Sequence, residues 1–370
     1  MPTSPLLTLS GAVVDPSGSV AAHYGEPVAE QRMLAAGRAV VDLSDRGVVT
    51  VTGQDRLTWL DSLTSQALTQ LAPGSSAETL LLDPQGRLEH GMRVVDDGVT
   101  TWLLVDGDQA APLAAWLDRM RFMMQVEVVD VSSEWATLGQ LSPDGELLIA
   151  AAAPNGVPLV WRDPWTAVQA GGWQYSTAAE HPGGEFSAVE LLIERTALPA
   201  LAERAGTGEL AVAGALALDA LRIAAWRPRQ STEVDARTIP HELDWMRSAV
   251  HMSKGCYRGQ ETVAKVHNLG HPPRRLVLLH LDGSSGLLPG AGSIVLHGEK
   301  EVGTVTSSAR HHELGPIALA VVKRTLDPTA DLVVPSEGEV IAAAQEIIVP
   351  VEAGATAGVA RLPRLGAVTR

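Results

Sequence analysis

The sequence predicts an α+β protein in which two related α+β units are followed by a small antiparallel β-barrel. Three observations point there. Strand-like apolar runs alternate with segments of helical periodicity over roughly the first two thirds of the chain. From "RRLVLLHLDG" onward the helical periodicity stops, and short apolar runs alternate with Gly, Pro and Asp. The composition, 45% hydrophobic with 35 glycines and 23 prolines in 370 residues, is that of a folded mixture of helix and strand.

The segment "RGVVTVTGQDRLTWLDSLTSQALTQL" opens as a strand of β-branched residues. It continues as a helix with Leu57, Leu60, Ala67, Leu68 and Leu71 at helical spacing. Thr52 and Asp55 read as a capping box at the junction. Three antiparallel strands follow at "ETLLLD", "GRLEHGMRVVDDG" and "VTTWLLVD". A helix from about Asp108 carries Leu113, Trp116, Leu117 and Met120 on one face, and "MQVEVVDV" returns to strand. A second round is expected as a strand at "ATLGQLS", a helix around "GELLIAAA", strands at "PLVWRD" and "WQYST", and a helix at "EFSAVELLIERTA". Gly270, Pro272 and Pro273 in "NLGHPPRR" interrupt helix and strand alike. This divides the chain into residues 1–271, subdivided near 130–140, and a barrel over 272–370 built from runs such as "GSIVLHG", "VGTVTSS", "PIALAVV", "ADLVVP" and "QEIIVP".

Charge narrows the partners. The formal net charge of −15 repels nucleic acid phosphates and anionic membrane surfaces, so neither is expected as a partner. Residues 222–275 reverse the balance, with ten Lys and Arg against five acids. A basic island on an acidic protein suits a small anionic ligand held by arginine forks, although the same arginines can serve as structural ion pairs. A single cysteine forms no internal disulfide, and the start "MPTSPLLTLSGAVV" has neither a basic end nor a long apolar run; a cytoplasmic monomer is the expectation.

Several motifs are set aside on physical grounds. "GTGELA" at Gly206 has the letters of a dinucleotide fingerprint but follows a helical segment, not a strand. One cysteine cannot supply a structural zinc or iron–sulfur site, and Gly270 breaks the helix that would align His267 with His271, so no metal is assigned. His311 and His312 fall on a barrel loop, and Trp226 and Trp245 offer aromatic faces within the basic island.

The lone cysteine sits in "SKGCYRGQETVAK". Lys254 and Arg258 flank Cys256 closely enough to favour its thiolate, and a helix is expected to begin near Gly259, with Gln260 and Glu261 in its first turn. Gly255 and Gly259 permit sharp bends and close backbone approach. A lone cysteine is ordinarily inert packing, but these polar neighbours mark a functional thiol.

"KGCYRGQE" resembles the signature of the YgfZ-type folate-binding proteins, relatives of the glycine-cleavage T-protein aminomethyltransferase. "VVDLSDRGVVTVTGQDRLTWLDSLTSQ", "LLLDPQGRLEHG", "TIPHELDW" and "EVGTVTSSARHHELGPIALAVV" resemble further segments of that family, so the likeness covers most of residues 38–325. It implies a three-part ring around a central channel for tetrahydrofolate or a derivative. It also implies a role with iron–sulfur client enzymes or assembly factors, and through them in transfer RNA modification. By position, Lys254, Gly255, Cys256, Tyr257, Gly259, Gln260 and Glu261 take the motif positions and Arg258 its variable one; Cys256 and Lys254 are expected to perform the chemistry, and Tyr257, Arg258, Gly259, Gln260, Glu261, Arg222, Trp226 and Arg87 to hold the cofactor.

Two departures qualify the likeness. Where the aminomethyltransferases carry paired aspartates this chain has Glu89, His90 and Gly91, and Ala224 in "RIAAW" stands where a pterin-binding glutamate is expected. Glycine cleavage is therefore not expected. Three functions remain open: a folate-dependent maturation factor, a folate-dependent aminomethyl or methyl transferase, and a non-catalytic docking adaptor.

Overall fold

The computed structural model describes residues 2–284 and 286–358. Two five-stranded sheets and one closed six-stranded barrel organise them. The first sheet is antiparallel, in the order Ser76–Leu82, Leu88–Asp96, Thr100–Val105, Gly47–Thr52, Glu127–Asp130. The second runs Val160–Arg162, Ala188–Glu194, Trp135–Leu141, Val40–Asp42, Val212–Ala213, with only the last pair parallel. Its strand Val40–Asp42 comes from before the first sheet and pairs with Trp135–Leu141. The two α+β units therefore exchange chain at their start.

Alternation along the strands decides what each face meets. Val49, Val51, Leu81, Met92, Val94, Leu103 and Val105 cover one face of the first sheet and pack under Trp59 and Leu60 of the helix Arg56–Leu63 and Leu113 and Leu117 of the helix Ala110–Arg119. On the opposite face Val48, Val95, Trp102 and Leu104 meet Leu159, Trp161 and Leu192 of the second unit. The same period turns Glu78, Arg93 and Glu190 toward the layer between the sheets, so charged side chains lie there beside apolar ones.

The barrel closes because Arg274–Leu281 pairs with both Gly315–Lys323 and Glu339–Ile347. Val277, Leu279, Val305, Ala320, Val322, Val334 and Ile341 fill its interior. Leu276, Leu278, Ile317, Leu319 and Val321 point outward into a core shared with Trp226, Leu243, Trp245 and Tyr257, and each contributes about 1.5–3 kcal/mol by burial. Glu233 adds a polar tie. It accepts from Arg222 and from the Arg229 backbone N–H on one side, and from Thr306 and Ser307 of the barrel on the other. No helix among the described residues is long and apolar enough to cross a membrane.

Five sequence expectations give way. The helix begun at Arg56 ends at Leu63, because the Asp61 carboxylate takes the backbone N–H groups of Leu68 and Thr69 and turns the chain. Thr52 and Asp55 form no capping box; Asp55 instead accepts from the Gln125 N–H. "GELLIAAA" is not a helix: the Gln140 side chain holds Glu146 and Leu148, and the Ala152 N–H bonds to Leu192 along the sheet edge. "EFSAVELLIERTA" forms the strand Ala188–Glu194, its Val189, Leu191 and Ile193 all on one buried face, whereas "WQYST" pairs with no strand and gives its Tyr175 N–H to Asp244. In each case tertiary partners override a short periodic run.

Candidate functional site: an anchored thiol and a buried ion cluster

The "SKGCYRGQE" segment forms an irregular loop that feeds the helix Gln260–Leu269. Its anchor is Lys254. The ammonium donates to the carbonyls of Asp61 (2.5 Å), Thr64 (2.8 Å) and Gln66 (2.8 Å), with the Asp61 carboxylate 3.3 Å away. Burial lowers the Lys254 pKa, and Asp61 opposes that shift. All three N–H bonds are spent on carbonyls where the Arg56–Leu63 helix ends, so Lys254 is a positioning residue with no donor left for chemistry at the sulfur. The sequence places Lys254 with the chemistry; the structure places its ammonium on these carbonyls.

The rest of the motif continues the anchoring. Tyr257 is buried beneath the Lys254 ammonium, 5.4 Å from its ring centre. Arg258 pairs with Glu89 at 2.5 Å and lies over Trp116. Gly259 has φ +83°, and a Cβ there would stand 2.6 Å from the Asp83 carbonyl oxygen. Gly259→Ala is expected to cost about 1–3 kcal/mol, read as a lower urea midpoint, because neither the backbone angle nor the space admits a methyl group. Gln260 and Glu261 open the helix as expected, with Glu261 exposed. Between these fixed points Cys256 is exposed, and nothing lies within 4 Å of a Cβ placed at Gly255. Both flanking cations are matched by acids, Lys254 by Asp61 and Arg258 by Glu89.

The remaining candidates lie elsewhere. Arg87 is exposed on the turn below the loop. Trp226 is buried at φ +59° in the core shared with the barrel, edge-on to His181, so its ring is not open to a heterocycle. Arg222 pairs with Asp219 and Glu233, both at 3.0 Å, between the sheets. His267 accepts or donates at Tyr175 Oη, 2.9 Å away, and no cluster suited to a metal occurs among the described residues.

Arg222 belongs to a second constellation. Arg227 pairs with Glu78 (2.6 Å) and Asp163 (2.9 Å), Arg229 with Asp106 (3.1 Å), and Arg93 with Glu190 (3.1 Å), which Arg46 also contacts. Burial alone would raise the Asp106 pKa, but Arg229, Arg93 and Arg46 hold it well below the usual carboxylate range. Burial raises Asp163, and Glu78 adds to this against Arg227. The cluster surrounds a cavity of about 40 Å³. Nearby, a Cβ at Gly91 would meet the Trp245 ring at 3.2 Å, so an indole occupies the space beside the position where the resemblance implies an acid. The signal for this cluster was present in the sequence as single charges inside apolar strands, Arg93 in "GMRVVD" and Glu190 in "AVELLIE".

A wider groove of about 380 Å³ lies on the other side of the helix Ala215–Ala224. Leu141, Phe186, Leu221 and Ala224 form apolar walls, and the His311–Leu314 turn of the barrel closes one side. Phe186 lines both the groove and the inner cavity.

Residues 21–158 match the GCVT N-terminal domain, and residues 274–350 match the glycine cleavage T-protein C-terminal barrel domain. Domain content and fold place the chain in the aminomethyltransferase-like superfamily. Among solved structures, the glycine cleavage system aminomethyltransferase T from Bartonella henselae superposes with a TM-score of 0.71 at 17% identity, over 92% of this chain and 94% of that one. The aminomethyltransferase of Synechococcus sp. (strain RCC307) is 27% identical over 315 residues, covering 83% of this chain and 85% of its own. A chloroplastic Arabidopsis thaliana protein named as a transferase is 25% identical over 287 residues, covering 73% of this chain; the match spans 62% of that protein's length. Within this aminomethyltransferase-like frame, Glu89 is committed to Arg258 and Gly91 is covered by Trp245.

Proposed function

We propose that this aminomethyltransferase-like protein is a tetrahydrofolate-binding factor that supports maturation or repair of iron–sulfur enzymes through Cys256, and thereby transfer RNA modification. The observation that carries the reading is an exposed thiol on a loop pinned at Lys254, Tyr257 and Gly259. A fixed, open sulfur suits contact with a labile iron or sulfur species on another protein, which an enclosed active site would not reach.

The inner cavity, at about 40 Å³, is too small for a pterin, but the groove of about 380 Å³ is in the range of small-molecule sites. Phe186, Leu141 and Leu221 would cover the ring faces, and Glu185 and Glu313 are the groove carboxylates able to accept the pterin's N–H groups in place of the glutamate missing at Ala224. A bound reduced folate supplies a one-carbon carrier. Cys256 is not among the groove residues, and the residues at 89–91 offer no free acid, so neither observation favours one-carbon transfer by this chain.

Tetrahydrofolate is expected to raise the melting temperature saturably, since it stabilises only the state that binds it. Ala224→Trp, which fills the groove, should remove the shift while Cys256→Ser keeps it. An unchanged melting temperature with tetrahydrofolate would remove the folate half of the reading and leave the thiol half standing.

A further inference from the structure

The cavity between the sheets is surrounded by side chains whose hydrogen-bonding capacity is not exhausted by their ion pairs. Arg46 Nε, Arg222 Nη2 and Arg227 Nη1 are buried donors without a partner, and Glu190 Oε2 is a buried acceptor without one. All four residues line the same cavity and are more than nine-tenths buried, at 5%, 6%, 5% and 7% exposure. Leaving a buried donor or acceptor without a partner is costly, so four around one space imply a resident that completes them.

We propose that this cavity binds a small protonated oxyanion of the hydrogencarbonate type. Three cationic donors call for acceptor oxygens, and Glu190 Oε2 calls for one O–H. Hydrogencarbonate offers both on a planar frame of four heavy atoms. The volume of about 40 Å³ holds roughly three water-sized centres, so a tetrahedral sulfate or phosphate is too large. Chloride and formate accept but have no proton for Glu190. Five guanidinium groups line the cavity, met by the carboxylates of Asp163, Glu190 and Asp219 on its wall and of Glu78, Asp106 and Glu233 behind it. Asp163 is moreover pushed toward its neutral form by burial and by Glu78. Water is the competing occupant: the volume admits up to about three molecules, whose binding would leave the melting temperature insensitive to the identity of the added salt.

The test is thermal unfolding of the full chain at fixed pH and ionic strength in sodium hydrogencarbonate, sodium formate or sodium chloride. Hydrogencarbonate should raise the melting temperature saturably by about 2–5 °C, formate by less, and chloride not at all. Ala188→Val, which adds volume to the cavity wall, should abolish the rise; Leu218→Phe, on the helical wall, serves if the first variant does not fold. Equal melting temperatures in the three salts, or a rise that persists in a folded cavity-filling variant, would overturn the proposal and leave the space to water. Neither readout involves folate or iron–sulfur enzymes, so its failure is separate from failure of the function proposed above.

Discussion

Replacing Arg227 by leucine is expected to destabilise the protein by about 3–5 kcal/mol, measured by urea unfolding, because it leaves two buried carboxylates without their cation. Arg227 is 5% exposed and bonds Glu78 and Asp163 at 2.6 and 2.9 Å, with the rings of Trp165 and Trp245 at 5.2 and 5.9 Å. Its loss removes the charge that opposes the upward shift of Asp163, so the folded-state pKa of that acid rises further above its unfolded value. A carboxyl raised in this way is tolerated below its unfolded pKa of about 3.9 and becomes a liability as pH climbs through the folded value. The deficit of Arg227→Leu should therefore be larger at pH 8 than at pH 5. Adding Asp163→Asn should recover part of it, since the two positions are in direct contact and their effects are not additive. A deficit independent of pH would mean that packing, not charge, sets the cost.

Much of the fold was legible because periodicity and turn residues report it directly. The strands over 76–105 and the barrel runs after Pro273 declared themselves by alternation and by Gly, Pro and Asp between them. What the sequence hid was tertiary. "ELLIE" has the apolar content of a helix, and only its place between two sheet neighbours makes it a strand with Glu190 turned inward. Leu68 and Leu71 keep helical spacing with Leu60, yet one carboxylate, Asp61, ends the helix before them. The candidate site divided in the same way. The loop glycines and the exposed cysteine follow from local chemistry, but a basic residue beside a cysteine reads alike whether it serves the sulfur or holds the loop. Lys254 holds the loop. The arginines of 222–229 looked like a surface for an anionic ligand and are instead spent on carboxylates: Arg227 and Arg229 on ones far away in sequence, Glu78, Asp163 and Asp106, and Arg222 on its neighbours Asp219 and Glu233.

The second large effect concerns the sulfur itself. Cys256→Ser should leave the stability within about 0.5 kcal/mol of the parent, because the residue is exposed. Iron–sulfur enzyme activity in cells that depend on this protein should nonetheless fall to the level of the deletion. Lys254→Met should act through position: it frees three carbonyls and the Asp61 carboxylate, loosens the loop, and lowers activity while Cys256 remains available to thiol reagents.

The most direct measurement is complementation of a deletion strain with Cys256→Ser, scoring the activity of an iron–sulfur enzyme alongside the amount and melting temperature of the variant. A stable, abundant variant that restores no activity is the predicted result. Full restoration by that variant would contradict a role for the thiol.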